Sequence, residues 1–173
     1  MSRRATSSGS TIARFQSSCV ARSHDLMHAA TAQAQLCSLI VDLALRGRAR
    51  ADEQERLARA SDQLRELLRG SCRFSLVDLT PIASEAQASN LQACGGCDMR
   101  LARRLGAELA ITGTIQKVSN LILNMNIYVR DASTGATIAA MSADMRGNTD
   151  ESWSRTLNWL VRNRLLAPGY GHQ

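Results

Sequence analysis

The residues whose type and spacing most directly suggest chemistry are the two cysteines of Cys94-Gly95-Gly96-Cys97. They stand just before a predicted short helix, where backbone N–H groups and the helix dipole favour a thiolate. Three chemistries use such a pair: a small structural disulfide, a redox-active dithiol, or part of a metal site. Two cysteines are only half of a structural zinc site. A c-type haem attachment needs His after the second Cys, and Asp98 stands there instead. A thioredoxin-like centre would follow a strand directly, whereas a long connection precedes Cys94. Cys94 and Cys97 are therefore the candidate disulfide or redox residues.

Other patterns are weaker. His24-Asp25-Leu26-Met27-His28 has the spacing of a zinc-protease helix, but with the shorter Asp where Glu serves as general base. No Gly-rich run ends in Gly-Lys-Ser/Thr, and no Gly-x-Ser-x-Gly elbow occurs. The three histidines all lie near the termini, which leaves no nucleophile–base pair within the central region. No catalytic residue, metal ligand or cofactor is assigned, so a binding module is expected rather than an enzyme. A polar strand face made of Asn124, Asn126, Tyr128 and Arg130, continued by Lys117 to Asn120, is the candidate binding surface. A solvated sheet face is the plainer reading; as a binding surface, its amide, hydroxyl and guanidinium groups suit peptides or glycans.

Hydrophobic periodicity marks the helices and strands that carry these side chains. Leu39 to Leu45 is an apolar run of strand length that a helix would also accommodate. Asp52 to Arg69 reads as a helix, with Asp52 and Glu55 as a capping box, an apolar face of Leu57, Ala60, Leu64, Leu67 and Leu68, and Gly70 as a left-handed stop. Phe74 to Leu79 reads as a strand, Ile82 to Ala88 as a short helix and Asp98 to Leu105 as another, ended by Gly106. Three strands follow, over 108–118, 121–129 and 137–145. Leu121, Leu123, Met125, Ile127 and Val129 alternate strictly and are expected to face the core. Thr149 or Asn148 caps a last helix carrying Trp153, Leu157, Leu160, Val161 and Leu165. Trp153 and Trp159 are six residues apart, so one is expected in the core and the other partly exposed. The fold class is α/β (α+β): a mixed sheet with a C-terminal three-strand antiparallel meander and helices packed on it.

The chain has 173 residues, enough for one domain with a sizeable core. Aromatics are only 3%, so aliphatic residues must fill that core. The net charge is +6, with Lys117 the one lysine. That arginine skew, together with abundant alanine, reads as codon-composition bias. The arginines are interspersed with acids and form no basic stripe with interleaved aromatics, so no nucleic-acid partner is expected. No apolar run is long enough to predict a transmembrane segment. Residues 1–35 read as a weakly structured N-terminal segment with a short helix near 24–35. Arg3 and Arg4 could open a signal peptide, but no apolar stretch of ~7–15 residues follows. A wrong start site or a lost signal would explain this. Residues 36–166 are expected to form the single domain and 167–173 a frayed tail.

The stretch from Leu101 to Trp153 resembles the second half of the TolB N-terminal-type domain. The resemblance is carried by Leu105-Gly106-Ala107, Gly113-Thr114 and the turn Asp131-Ala132-Ser133-Thr134-Gly135. That fold group includes the curli-secretion channel protein CsgG and the outer-membrane lipoprotein activators of peptidoglycan synthases. Over about residues 39–166 the chain resembles still more closely an uncharacterised family of small exported proteobacterial proteins. The matching stretches are ADEQERLARASDQLRELL, the CGGC region, and KVSNLILNMNIYVRD through RGNTDESW. The resemblance implies a TolB N-terminal-like fold, a periplasmic location and a protein partner in the cell envelope. The absence of a visible signal peptide leaves the cytoplasm open. An exported chain would meet oxidising conditions, where Cys94 and Cys97 are expected to pair with each other. The function expected is a non-enzymatic envelope-associated accessory or interaction module, the alternative being a thiol–disulfide or metal-handling protein built on Cys94 and Cys97.

Overall fold

The structure is a computed structural model that describes residues 37–46, 49–82, 84–85 and 94–168, with the side chains of 37–42 left aside. The expectations for residues 1–35, including the helix near 24–35 and the His24–His28 pattern, lie outside the described residues, as does most of the short helix expected over 82–88. The strands are β1 (Cys37–Arg46), β2 (Phe74–Leu76), β3 (Leu109–Lys117), β4 (Ile122–Asp131) and β5 (Thr137–Arg146). The helices are α1 (Ala51–Gly70), α2 (Cys97–Arg104) and α3 (Asp150–Leu160), the last continued by one π-helical turn, Val161–Leu165. The five strands lie in the order β2-β1-β3-β4-β5. β1 runs parallel to both β2 and β3, while β3, β4 and β5 form the antiparallel meander. The mixed sheet and its meander are as the alternation predicted.

Topology places the helices. From β1 the chain passes through α1 to β2 on one side, then returns past β1 to β3 through the segment containing α2. Right-handed crossovers in opposite directions place their connections on opposite faces of a sheet. The packing follows that rule. Ala60, Leu64 and Leu68 of α1 and Trp153, Leu157 and Leu160 of α3 share one core with Ile111, Ile115, Leu123, Met125, Ile127 and Met141. Leu101 and Ala102 of α2 instead pack with Ala110, Ala107, Ala132 and Ile82 in a separate cluster. Gly113 lies in the larger core because nothing bigger fits: a Cβ there would stand 2.5 Å from a Leu43 methyl and 2.7 Å from the Asn126 carbonyl oxygen.

Several local expectations change. Asp52 does not cap α1; Arg50 is the N-cap residue, and its N–H donates to the Glu53 carboxylate at 3.0 Å. Gly70 is the last helical residue, and the left-handed position falls on Cys72 (φ 54°). The strand expected over 74–79 stops at Leu76. Asp78 then accepts from the Thr80 N–H at 2.9 Å and opens the 3₁₀ turn Thr80–Ile82 around Pro81. Leu121 is not a core residue. It sits in the β3–β4 turn and is 72% exposed. The turn claims it because the Leu121 N–H and the Ile122 N–H both donate to the Ser119 hydroxyl. Of the two tryptophans, Trp153 is buried and Trp159 is 45% exposed, as their spacing predicted.

The alternation along β4 sets distinct stability costs. Replacing the fully buried Met125 or Ile127 by Ala is expected to cost about 2–5 kcal/mol through cavity formation. Leu121→Ala is expected to change stability by no more than about 0.5 kcal/mol, because that side chain stands in water. Urea denaturation of the three variants checks this; a Leu121→Ala loss as large as the others would place that residue in the core.

Candidate functional site

Gly95 (φ 68°) and Gly96 (φ 104°) occupy left-handed backbone that side chains disfavour, and they turn the chain into α2. The turn brings the Cα atoms of Cys94 and Cys97 to 5.7 Å, and their sulfurs are joined as a disulfide. Cys94 is exposed and accepts the Cys97 N–H at 3.2 Å, whereas Cys97 is buried in the α2 cluster. Cys72 is disulfide-bonded as well. Asp98, next in the chain, is fully buried in the first turn of α2, where a negative charge is favoured. Its Oδ2 accepts from Arg130 at 3.2 Å; its Oδ1 has no hydrogen-bond partner among the described residues. The structure thus joins the cysteine turn to the end of the polar strand face, two features that sequence reasoning had kept apart.

On that face Asn124, Asn126, Tyr128 and Arg130 are all half-buried and alternate with the core residues of β4. Asn126 donates to Asn124 at 2.6 Å, and Asn124 donates to Ser142 and to Asp144, each at 2.9 Å. The result is a hydrogen-bonded amide ladder across β4 and β5. Lys117 does not belong to it. In the β3–β4 register it stands opposite the core residue Leu123, and so turns toward the helices.

There it meets Glu53, a site that sequence reasoning missed. Glu53 is fully buried. Its Oε1 accepts from Lys117 Nζ and from Asn148 Nδ2, both at 2.6 Å, while Oε2 takes the Arg50 N–H. Asn148 Oδ1 in turn accepts from Trp153 Nε1 and Arg56 Nη1, each at 3.0 Å. Arg56 continues to Asp150 at 2.6 Å and lies over the Trp153 ring. Periodicity and spacing carry no signal for this site, because Lys117 and Asn148 lie 64 and 95 positions away from Glu53. The Arg50 N–H, followed by Lys117 and Asn148, holds the Glu53 carboxyl at about 2, against the upward push of burial. In the β4–β5 turn, Asp131 is also held at about 2, first by the Ser133 hydroxyl and then by the Thr134 N–H.

A groove of about 430 Å³ between α1 and α3 is lined by Gln63, Glu66, Leu67, Asn158, Arg162 and Leu166. Among the described residues, no three His, Cys, Asp or Glu side chains are grouped to hold a metal ion. No described helix is long and apolar enough to cross a membrane.

Comparison with known proteins shows a match over residues 28–165 to the family DUF3280, described as "Protein of unknown function (DUF2380)". The chain belongs to this family. No curated protein matches it. Among solved structures, the LpoB C-terminal domain from Salmonella enterica is 16% identical with a TM-score of 0.49, over 75% of this chain and 93% of that one. Lipoprotein GNA1162 from Neisseria meningitidis is 15% identical with a TM-score of 0.49, over 73% and 92%. TolB from Acinetobacter baumannii is 10% identical with a TM-score of 0.45, over 76% of this chain and 29% of that one.

The Glu53 network sets an acid limit. A carboxyl held near 2 in the folded state and near 4.5 when free binds fewer protons folded than unfolded. Its stabilisation is complete above about pH 4.5 and is lost as pH falls toward 2, amounting to about 3 kcal/mol. Denaturation midpoints measured between neutral pH and pH 2.5 should fall less steeply for Glu53→Gln than for the unsubstituted chain. Parallel curves would remove Glu53 as the titrating group.

Proposed function

We propose that this protein is a non-enzymatic, envelope-associated interaction module that binds another protein through the outer face of β4 and β5. The observation that carries the reading is the ladder of Asn124, Asn126, Ser142 and Asp144, ordered on one side of a rigid sheet with Tyr128 beside it. A preformed set of amide, hydroxyl and carboxylate groups offers donors and acceptors to a partner at little ordering cost. The partner's chemistry follows: a protein surface or extended segment rich in hydrogen-bonding groups, with a basic side chain to meet Asp144. The envelope placement rests on the sequence resemblance to exported proteins and on the paired cysteines, which suit an oxidising compartment. The Asp98–Arg130 pair ties α2 to the ladder's strand, giving the Cys94–Cys97 link the role of fastening this end of the face.

Asn124→Ala and Asn126→Ala are expected to weaken capture of the envelope partner while moving stability by no more than about 0.5 kcal/mol. Capture from envelope extracts, read beside thermal melting of the same variants, tests the face; unaltered capture would return it to plain solvent exposure.

A second reading has its own observation. Cys94 is exposed and Cys97 is buried at the start of α2, and a backbone N–H points at the Cys94 sulfur. That geometry would suit thiol–disulfide exchange with a partner dithiol. Replacing both cysteines by Ser separates the two. A binding module keeps partner capture and loses only stability. A redox protein loses its exchange with a dithiol of known potential altogether.

A further inference from the structure

The β3–β4 hairpin carries apolar side chains out into water. Val118 is 71% exposed, Leu121 72% and Ile122 46%, so three large hydrophobic side chains stand exposed within five residues. Single exposed aliphatics are ordinary, but a cluster at the apex of one hairpin marks an interaction site. The apex is held in shape. The Val118 and Ser119 N–H groups donate to the Ile122 carbonyl, and the Leu121 and Ile122 N–H groups donate to the Ser119 hydroxyl. The Leu121 carbonyl accepts from Gly147 N–H at 3.0 Å and the Asn120 carbonyl from Asn148 N–H at 2.9 Å, which clamp the tip to the turn before α3. Four N–H groups and three carbonyls of the tip are therefore already satisfied, and removing them from water leaves none of these unpaired.

Charge surrounds the tip on one side of neutrality. Arg146 stands opposite Ile122 in the β4–β5 register, and Arg46 stands beside Gln116 at the same end of the sheet. Both arginines are exposed. Of the acids nearby, Glu53 is paired with Lys117 and Asp52 with Arg50, while Asp144 keeps its charge because its partner Asn124 is a neutral amide; the two exposed arginines outweigh that one carboxylate.

We propose that this hairpin tip docks the protein on an anionic lipid surface. Val118, Leu121 and Ile122 enter the boundary between headgroups and acyl chains, and Arg46 and Arg146 meet the lipid phosphates. A lipid surface fits because the exposed aliphatic Val118, Leu121 and Ile122 are flanked by the exposed Arg46 and Arg146, the combination of apolar and basic groups that interfacial anchors present. Three aliphatic side chains give only weak, reversible association, so both the apolar and the electrostatic parts are required. The docking is separate from the Asn124–Asp144 ladder and stands whether or not that face binds a protein.

The full chain should co-sediment with phosphatidylcholine vesicles containing about 30% phosphatidylglycerol, and much less with phosphatidylcholine alone or at raised salt. Leu121→Ser combined with Val118→Ser should lower vesicle affinity about tenfold or more with an unchanged melting temperature. Arg46→Gln with Arg146→Gln should abolish the preference for anionic vesicles. The proposal falls if the unsubstituted chain does not sediment with anionic vesicles, if it binds neutral vesicles equally, or if the serine variant binds as before. Self-association that disappears in the serine variant, without vesicle binding, would instead assign the tip to a second copy of the chain.

Discussion

A carboxylate taken out of water must be met by donors, and the burial of Glu53 makes that demand at the point where three segments converge. The donors come from the start of α1 through the Arg50 N–H, from the end of β3 through Lys117, and from the turn before α3 through Asn148. Removing any one leaves a buried charge short of a partner, which is far more destabilising than the pair is stabilising. The network therefore specifies where α1 begins, how the end of β3 faces, and how α3 leaves the sheet. Trp153, the largest fully buried side chain, is oriented by the same Asn148 that reaches Glu53. The carboxylate also occupies the electropositive start of α1, where an external anion would otherwise be favoured.

Around that junction the sheet has two unlike sides. The helices α1 and α3 share one side with an aliphatic core, and alternation along β4 assigns Met125 and Ile127 to it. On the other side α2 covers only the end near Ala110, fastened by the Asp98–Arg130 pair and the cysteine turn. The amide ladder lies farther along that side. The same alternation that fills the core thus produces the polar face, because successive side chains on a strand cannot share a side.

Much of this was legible in the residues alone, wherever the deciding interaction is local. The β4 alternation, the Asp131–Gly135 turn, the Thr149 cap and the opposite fates of Trp153 and Trp159 are all settled by residues within a few positions of one another. Backbone geometry and side-chain period act over that range and need no knowledge of the rest of the chain. The mixed sheet with its antiparallel meander followed from the order of these elements.

Tertiary structure decided what depends on partners distant in sequence. Glu53 reaches Lys117 across 64 positions and Asn148 across 95, and Arg130 reaches Asp98 across 32. Periodicity contains no record of such pairs, so Asp52 looked like the cap of α1 and Lys117 like part of the polar face. Leu121 fits the strand period as well as Leu123 does, yet hydrogen bonds from its own turn to Ser119 and Gly147 carry it into water. The elements and their two-sidedness arise from neighbouring residues and are readable without the fold. Strand order, the buried carboxylate and the exposed tip were decided only when the elements packed, because desolvation and hydrogen-bond satisfaction are properties of the assembled fold.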